Sequence, residues 1–451
     1  EEVSKLNGEI SRLQGRVRAE EEKLVSAKDL FAKERADFEA QLREGAAERR
    51  KMHNVIQELR GNVRVFARVR PFLPGDNTGD NEQPCVIPKS DTALKLKLNG
   101  EEKKDYSFSF DRVFNPSSSQ EAVFAEVSEF VQSALDGYSV CLFSYGQTGS
   151  GKTHTMQGSG LGQMRGIIPR AIEKVGEYKR ELEGQGWQYE MKVSFLEIYN
   201  ETIRDLLRDE EIGEKKHDIK VNADGSRFIT DLTICPLEPT DTDAVNDVME
   251  TAAKYRTVGS TKMNDVSSRS HSVFTLHLTA RHPENNQKLK GTLNLVDLAG
   301  SERLKRSGAA GEQAKEAVSI NKSLSSLTNV FVSIGSKAGH IPFRNSKLTY
   351  LLQPSLSGDG KTLMIVNISP TEMSTQESLS SLRFAAQVNK CELGAAKRSI
   401  QEAGSDDEDD DASVSSKSSV RSTSGKSTPS SRRSTPAKSA PSSRRSSLQS
   451  P

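Results

Sequence analysis

The sequence predicts an α/β fold: a central, mostly parallel sheet flanked by helices, preceded by a long coiled-coil helix and followed by a disordered tail. Three observations predict it. Apolar strand-like runs alternate with helical stretches between residues 61 and 392, which is typical of a parallel sheet covered on both faces. A seven-residue apolar repeat fills residues 1–60, and a Ser-rich segment of low complexity occupies residues 393–451.

Composition limits the class of protein. The chain has 451 residues, enough for one large domain with appendages. Its 63 Lys and Arg nearly balance 62 Asp and Glu, but an acidic block at 406–411 precedes a basic stretch without acidic residues. The cysteines form no C-x-x-C pair, so we expect reduced thiols and neither a disulfide framework nor a cysteine metal site. They are Cys85, Cys141, Cys235 and Cys391.

Targeting signals are not apparent in the sequence. No apolar run approaches the ~18 residues of a membrane span, and we find no signal peptide. We therefore predict a cytoplasmic protein that binds neither membrane nor nucleic acid. The chain begins with Glu1 rather than Met, which predicts a fragment of a longer protein.

Residues 1–60 are predicted to form one helix, on the order of 90 Å long at ~1.5 Å per residue. The segment is charged and free of proline, and its apolar stride of seven favours a parallel homodimeric coiled coil. Polar d positions leave a single solvated helix as the alternative. The a positions hold Val3, Ile10, Val17, Leu24, Phe31, Phe38, Met52 and Leu59, interrupted at Gly45; the d positions hold Leu6, Leu13, Ala27 and Val55, but also Glu20, Glu34, Gln41 and Glu48.

Residues 61–392 are predicted to form the globular domain. In a sheet of the predicted kind, ligands bind at the carboxyl ends of the strands. The strand-like runs are 63–69, 138–144, 188–199, 272–280, 292–297 and 362–368. The helical stretches are 119–135, 168–183, 240–257, 312–334, 345–352 and 375–389.

A glycine-rich loop at 146–153 fits the pattern G-x-x-x-x-G-K-[ST] without a mismatch. A strand precedes it and a helix N-terminus follows, which disfavours a chance match on a surface loop. Glycines let backbone N–H groups face phosphate oxygens, Lys152 can reach the β and γ phosphates, and Thr153 can hold Mg²⁺. The sequence therefore predicts a P-loop NTPase. The phosphate-binding residues are Gly146, Gln147, Thr148, Gly149, Ser150, Gly151, Lys152 and Thr153.

Two further clusters supply the parts that hydrolysis needs. The strand at 292–297 ends in Asp297, which is placed to hold Mg²⁺ through a water, and the N–H of Gly300 can approach a γ-phosphate. Residues 264–271 pack hydroxyls and Arg269 just before a strand. Alone, each cluster is ordinary, because Ser-rich turns are usually solvated and an Asp at a strand end often caps a helix. The prediction of a hydrolytic site rests on the occurrence of both clusters and the glycine-rich loop in one domain.

Together these three motifs resemble the nucleotide-site motifs of the kinesin motor domain. They are the loop at 146–153, N-x-x-S-S-R-S-H at 264–271 and D-L-A-G-S-E at 297–302. The R-V-R-P at 68–71 resembles the family's adenine-side motif, and H-I-P-F-R-N-S-K-L-T at 340–349 resembles its microtubule-facing motif. The resemblance spans residues 62–392, with the motifs in the family's order.

The resemblance implies ATP and Mg²⁺ as cofactors. Ser268 would join Thr153 and Asp297 at the metal when the first switch closes. The remaining cofactor contacts implied outside the loop, mainly on the adenine side, are Arg68, Arg70, Pro71, His154 and Asn264.

Catalytic roles are implied in the same way. Ser267 would approach the γ-phosphate, which the N–H of Gly300 would sense. Arg269 and Glu302 would form a salt bridge across the two switches, closing the site around the attacking water, and Glu302 would pass the water's proton outward. Closure by two loops makes hydrolysis conditional. The alternative is an ion pair of purely structural purpose.

A microtubule partner, and an ATPase that microtubules stimulate, follow from the resemblance. The microtubule surface is acidic, so the contact face should be basic. A run of charge is usually a solvated face, but here it lies on the helix attached to the γ-phosphate sensor, which favours coupling between track and nucleotide. The basic residues are Lys305, Arg306, Lys315, Lys322, Lys337, Arg344 and Lys347.

The order of helix and motor resembles that of the C-terminal-motor kinesins (kinesin-14), which move toward microtubule minus ends. The heptad helix, or neck, runs through Gly61 and Asn62 directly into the first strand. The resemblance implies a motor on the microtubule cytoskeleton, including the spindle, whose neck helix swings. The Ser/Arg-rich extension beyond Arg398 departs from the short C-terminus of that group.

Two other functions fit the sequence less well. A microtubule crosslinker with an idle ATPase should carry a degenerate switch, whereas Lys152, Arg269, Gly300 and Glu302 are intact. A small GTPase-like switch needs N-K-x-D, and N-K-S-L at 321–324 lacks the Asp.

The tail at 393–451 is too polar to offset chain entropy by burial, which predicts disorder.

Overall fold

The computed structural model describes residues 2–76, 82–98, 104–160, 162–208, 215–222, 226–258, 268–284, 286–302, 312–358, 360–394 and 396–402; residues 257–258, 312–318 and 400–402 are described by their backbone alone. Four predicted functional residues lie outside the described ones: Asn264, Ser267, Lys305 and Arg306. Most of the predicted tail, from residue 403, also lies outside them.

Helices and strands alternate along the described chain. The helices are α1 (Glu2–Leu59), α2 (Gln120–Leu135), α3 (Lys152–Met156), α4 (Ile167–Glu183), α5 (Thr242–Val258), α6 (Glu312–Gly335), α7 (Lys347–Leu356) and α8 (Thr375–Val388). The strands are β1 (Val63–Val69), β2 (Val86–Pro88), β3 (Ala93–Leu98), β4 (Lys104–Ser109), β5 (Arg112–Phe114), β6 (Ser139–Tyr145), β7 (Gln188–Tyr199), β8 (Thr202–Asp205), β9 (Ile219–Val221), β10 (Arg227–Ile229), β11 (Cys235–Pro236), β12 (His271–His282), β13 (Gln287–Asp297), β14 (Lys361–Ile368) and β15 (Ile400–Glu402).

The main sheet has the order β11-β7-β12-β13-β6-β14-β1-β5, and β8 and β15 pair at its margins. Strands β13, β6, β14, β1 and β5 are mutually parallel, whereas β7 and β12 run antiparallel to their neighbours. The predicted α/β fold is confirmed, and each predicted strand and helix is present. The hairpin of β12 and β13 extends beyond the predicted runs, because its tip pairs the polar residues 281–282 with 287–288, which carry no apolar signal.

Two apolar layers cover the sheet, one on each face. In β6, Cys141 and Phe143 point into the layer formed with α6, α7 and α8. Their neighbours Val140 and Leu142 point into the layer formed with α2, α4 and α5. Because successive side chains of a strand face opposite sides, a strand buried on both faces reads as a continuous apolar run. This burial holds the carboxyl ends of β6 and β13 side by side.

The first helix, α1, is one unbroken element of 58 residues. The a-position residues and Leu6, Leu13 and Val55 are between 48 % and 84 % exposed in the single chain. Gly61 follows the helix in the left-handed region, with φ of +87°, which a glycine adopts without steric cost. The helix therefore stops sharply where β1 begins.

The last turns of α1 contact the end of α2 through Asp136. The carboxylate of Asp136 is fully buried, and Arg50 Nε lies 3.2 Å from its Oδ1. The amide of Asn54 donates to Oδ2 at 3.0 Å. Burial raises the pKa of Asp136, and the charge of Arg50 opposes that rise.

A second acid on α2, Glu129, contacts the residues that follow. Gln57 donates to Glu129 Oε2 at 2.9 Å. Arg60 and Arg64 pair with the same oxygen at 2.9 and 3.1 Å. We call the contacts of residues 50–64 with Glu129 and Asp136 the helix junction. Gln57 is the buried residue of α1, so polar groups rather than an apolar core hold this junction.

Residues just beyond the predicted boundary of the tail at 393 bond to the motor domain. Arg398 donates through Nε to the carbonyl of Asp136. The N–H of Ser399 donates to the carbonyl of Gly137 at 2.9 Å, and β15 pairs with the start of β13. These backbone bonds to a sheet edge need no apolar side chains, and the boundary of the tail at 393 stays a prediction. Among the described residues, no helix combines the length and apolar character needed to cross a membrane.

Candidate nucleotide site

The glycine loop connects β6 to α3 at the carboxyl edge of the parallel strands. Gly146, Gly149 and Gly151 have φ of +151°, +76° and +99°, a region that side chains disfavour. At Gly146 a Cβ would also collide with the carbonyl of Asn367 and the hydroxyl of Ser150. The loop conformation thus depends on its glycines, as the motif predicted.

Lys152 and Thr153 at the start of α3 lie against Asp297. The side chain of Lys152 is buried, and Nζ donates to the carbonyl of Gln147 at 3.0 Å. Burial lowers the pKa of Lys152, opposed by the negative charges of Asp297 and Glu302. The hydroxyl of Thr153 donates to Asp297 Oδ2 at 2.7 Å, and Ser144 donates to Oδ1 at 3.2 Å. Two of the three predicted metal residues, Thr153 and Asp297, are therefore adjacent.

The loop fits a phosphate with Mg²⁺. Ser150 Oγ and Gln147 Oε1 are buried, with no hydrogen-bond partner among the described residues, and a hydroxyl in that situation can donate to a phosphate oxygen. Thr153 and Asp297 provide the oxygen ligands that Mg²⁺ takes. The described residues contain no cluster of three His, Cys, Asp or Glu side chains suited to a metal. Mg²⁺ bound with phosphates needs only one or two carboxylates.

The segment after Asp297 is tied to three different elements by successive N–H groups. The N–H of Ala299 donates to Nδ1 of His271 at 3.0 Å. The N–H of Gly300 donates to the carbonyl of Ser268 at 2.8 Å, and that of Ser301 to the carbonyl of Gly146 at 3.0 Å. The γ-phosphate sensor expected at Gly300 is therefore bonded to the first switch in this conformation.

Glu302 closes the segment against the glycine loop. Its carboxylate accepts hydrogen bonds from the backbone N–H of Thr148 at 2.8 Å and from the Thr148 hydroxyl. A Cβ at Gly300 would collide with this carboxylate and this hydroxyl, so a larger residue there would displace the Glu302 side chain from Thr148. Arg269 follows Ser268 at the same edge and is half-buried. The predicted salt bridge between Arg269 and Glu302 stays a prediction.

On the predicted adenine side, the arginines bond to protein groups. Arg68 is buried, and its guanidinium donates to Gln120 and Thr155 at 2.8 and 3.0 Å. Arg70 donates to the carbonyl of Gly149 at 2.8 Å and pairs with Asp76 at 2.6 Å. These bonds position α3 and the glycine loop. Contacts with adenine, including those of Pro71 and His154, stay predictions.

The described basic residues of the predicted microtubule-binding face differ in their exposure and ion pairing. Lys322 on α6 and Arg344 are exposed. Lys337 is also exposed and lies 3.6 Å from Glu392. Lys347 is half-buried, and its Nζ lies 3.9 Å from Asp218. Of Lys315 only the backbone is described, so its place on the face stays a prediction, as does the binding role of the others.

One polar residue at the site was not among the predicted functional residues. His271, the first residue of β12, accepts from Ala299 and lies 2.7 Å from the hydroxyl of Ser323 on α6. Its position in the second motif was the available signal, but its role depends on a partner 52 residues away.

Residues 68–391 match the family model described as the kinesin motor domain. The chain belongs to the kinesin family. Kinesin motor domains are nucleotide-binding P-loop domains that bind microtubules.

The relatives and solved structures are kinesin-14 proteins for the most part. The chain is 50% identical over 371 residues to "Kinesin-like protein KIN-14N" of Oryza sativa, which covers 81% of this chain and 48% of the relative. It is 48% identical to "Carboxy-terminal kinesin 2" of Xenopus laevis over 78% of this chain and 56% of the relative. The chain thus spans about half the length of these curated relatives.

A solved structure gives the same result for the fold. The "C-terminal motor and motor homology domain of Kar3Vik1 fused to a synthetic heterodimeric coiled coil" matches with a TM-score of 0.73 at 41% identity, over 85% of this chain and 99% of that one. The predicted resemblance to the kinesin motor domain, and to kinesin-14 in particular, is confirmed.

Proposed function

We propose that this chain is an ATP-driven microtubule motor that moves toward minus ends, with hydrolysis coupled to a swing of α1. The observation that carries the proposal is the continuity of α1 with β1 through Gly61 and Asn62, ahead of the motor domain. The relatives with C-terminal motors support the same direction.

The residues at the carboxyl edge suit ATP with Mg²⁺. Lys152 and the loop N–H groups would bind the phosphates, while Thr153, Ser268 and Asp297 would hold the metal ion. Bound Mg²⁺ would neutralise charge that develops on the phosphates. The buried hydroxyl of Ser150, which has no hydrogen-bond partner among the described residues, supports this assignment.

Hydrolysis would require Glu302 and Gly300 to leave their present partners. Release of Thr148 would free the Glu302 carboxylate to pair with Arg269, exclude bulk water and accept a proton from the attacking water. Release of the Ser268 carbonyl would free the Gly300 N–H for the γ-phosphate. These two exchanges make the reaction depend on switch closure.

The exposed apolar stripe of α1 supports a homodimer. A row of large apolar side chains at heptad spacing is stable in water when a second helix covers it. A related solved structure contains a heterodimeric coiled coil by its description, so the identity of the partner helix is part of the proposal.

Microtubules are the proposed track, with the exposed Lys322 and Arg344 on the contact face and Lys305, Arg306 and Lys347 as further predicted contacts. Association would place the protein in the cytoplasm on the cytoskeleton, including the spindle. Such contacts weaken with salt, since exposed charges are screened over ~10 Å at 0.1 M.

A gliding assay on polarity-marked microtubules tests the proposal. The dimeric chain, anchored by its N-terminus, should move microtubules with their plus ends leading, and only with ATP. A chain lacking the phosphate-binding lysine (Lys152→Ala) should bind without gliding. Plus-end-directed transport would refute the direction. Microtubule binding without stimulated hydrolysis would instead support the crosslinker.

A further inference from the structure

His271 lies between the nucleotide site and α6 and is bonded on both ring nitrogens. Nδ1 accepts from the N–H of Ala299, so it carries no proton. The ring proton is therefore on Nε2, which donates to Ser323 Oγ at 2.7 Å. The hydroxyl of Ser323 then donates to the carbonyl of Ile320 at 2.8 Å. The donor and acceptor roles of the groups in this chain of hydrogen bonds are therefore fixed.

The imidazole stays neutral in this position. Both His271 and Ser323 are buried. Burial, together with the positive charges of Lys152 and Arg256, lowers the pKa of His271 to about 3. The bond directions are thus the same throughout the physiological pH range.

The bonded peptide adjoins the one that must move. Ala299 N–H is held by His271, whereas the next N–H, of Gly300, is held by the carbonyl of Ser268. For Gly300 to reach a phosphate, the peptide between Ala299 and Gly300 must rotate. A bond that fixes the preceding peptide acts as the pivot of that rotation.

The other side of the link reaches a helix with two faces. Ser323 lies on the buried face of α6, which packs through Leu324, Leu327 and Phe331. Lys322, adjacent in sequence, is exposed on the opposite face. If a partner on the exposed face of α6 displaces the helix, Ser323 moves with it.

We propose that His271 is a positioning residue that couples α6 to the Ala299–Gly300 peptide, so that partner binding on α6 sets the position of the γ-phosphate sensor. The inference rests on the proposed function, because it needs a nucleotide and a microtubule. It assigns to His271 no contact with substrate.

Ser323→Ala is the sharpest test, because it removes the link to α6 and leaves His271 and its bond to Ala299 in place. We expect the ratio of microtubule-stimulated to basal ATPase to fall ~10-fold, within the usual range of coupling energies, with basal turnover nearly unchanged. The matched control is Ser326→Ala, a buried serine of the same helix whose hydroxyl donates only to Lys322 O. It should keep the wild-type ratio.

Two substitutions of His271 separate its bonds. His271→Asn places an amide oxygen near the Nδ1 position and is too short to reach Ser323, so it should behave like Ser323→Ala. His271→Gln places an amide nitrogen near the Nε2 position and loses the bond to Ala299, so it should also lose stimulation. The double variant His271→Asn with Ser323→Ala should be no worse than either single one, because both break the same link.

The outcomes are distinct. Equal stimulation in Ser323→Ala, Ser326→Ala and wild type overturns this inference and leaves the proposed function intact. Equal loss of basal and stimulated turnover, with a lower melting temperature, also overturns it, because that result reveals a structural role only. A wild-type protein that microtubules do not stimulate overturns both proposals.

Discussion

The nucleotide site and the helix junction both depend on buried or half-buried charges, yet they are held in different ways. Asp297 and Lys152 bond to hydroxyls and carbonyls of the frame formed by β6, β13 and the glycine loop. Asp136 and Glu129 bond to side chains of α1, an element that buries only Gln57. The first set is fixed by the apolar layers around it. The second can separate without exposing an apolar core, which suits a contact that would break and re-form in the proposed swing of α1.

The largest expected effect breaks the nucleotide site. Glu302→Ala should abolish microtubule stimulation, a loss of roughly 10²- to 10³-fold, the usual cost of removing a group that stabilises a transition state. The helix junction should be unaffected. Steady-state ATPase with and without microtubules measures the loss.

Glu302→Gln refines this test, because glutamine keeps the length of the side chain and can accept from Thr148, but has no carboxylate to take a proton. Turnover as low as that of the alanine variant would support a role in proton transfer. Turnover near wild type for Glu302→Ala itself would contradict the assigned role.

The next effect breaks the helix junction. Asp136→Asn keeps the shape but removes the charge and replaces one of the two accepting oxygens with an NH₂, so a donor from Arg50 or Asn54 loses its acceptor, which costs about 1–3 kcal/mol. The docked population of α1 should fall, and gliding should slow, while basal ATPase stays near wild type. Trp187, the single tryptophan of the chain, lines the cleft beside Arg50 and Asn54, so its emission reports undocking.

The control for this prediction is Asp247→Asn on the exposed side of α5, which should leave the emission unchanged. An emission change of the same size in both variants would show that the fluorescence does not report α1. Unchanged emission in Asp136→Asn would show that the junction does not hold the helix.

A smaller effect tests the end of α1. Gly61 has φ of +87° and open space around its Cβ position, so Gly61→Ala should destabilise by only the conformational penalty, roughly 1–2 kcal/mol. Gly8 lies inside α1, also in open space, and Gly8→Ala should stabilise the helix by about 1 kcal/mol. Thermal melting followed by circular dichroism should give shifts of opposite sign. Shifts of the same sign would contradict the described end of the helix.

The smallest effect concerns pH and the frame behind the nucleotide site. Burial lowers the pKa of His277 to about 4, below the ordinary value of 6.5, so the unfolded chain binds the proton first. The neutral, buried imidazole makes its full contribution to the free energy of unfolding above pH 6.5. That contribution falls as the pH drops toward 4. The loss is less than about 1 kcal/mol at pH 6.

Urea denaturation of wild type and His277→Gln between pH 7 and pH 5 measures this loss. The wild type should lose more stability than the variant, because glutamine does not titrate. Parallel pH dependence in the two proteins would contradict the assignment.

The same comparison explains what the sequence could predict. The glycine loop, Asp297 and Gly300 belong to contiguous motifs whose geometry is local, and the strands behind them are continuous apolar runs, so fold and frame were predictable. The helix junction joins polar residues 65 to 86 positions apart, from Arg64 with Glu129 to Arg50 with Asp136, and no local pattern marks such pairs. The link from His271 to Ser323 was missed for the same reason.

Other differences arise from backbone pairing. The strands β2, β3 and β4 of the small sheet are short and mostly half-exposed or exposed, and the margin strand β15 has only three residues, so the apolar pattern of these strands is weak. Arg68 was predicted beside adenine from its motif, whereas its bonds to Gln120 and Thr155 follow from the packing of α2 and α3. Tertiary partners decide such cases.

The unbroken length of α1 has a geometric consequence. From Gly61, Arg50 lies roughly 16 Å along the helix and Glu2 roughly 90 Å, at ~1.5 Å per residue. A stiff rod turning about Gly61 therefore magnifies motion more than fivefold between these points. The separation of a few ångströms that breaks the contact of Arg50 with Asp136 would displace the far end by roughly 20 Å. The ion pair of Arg50 with Asp136 therefore lies on the short arm of a lever, and the far end of α1 moves several times as far.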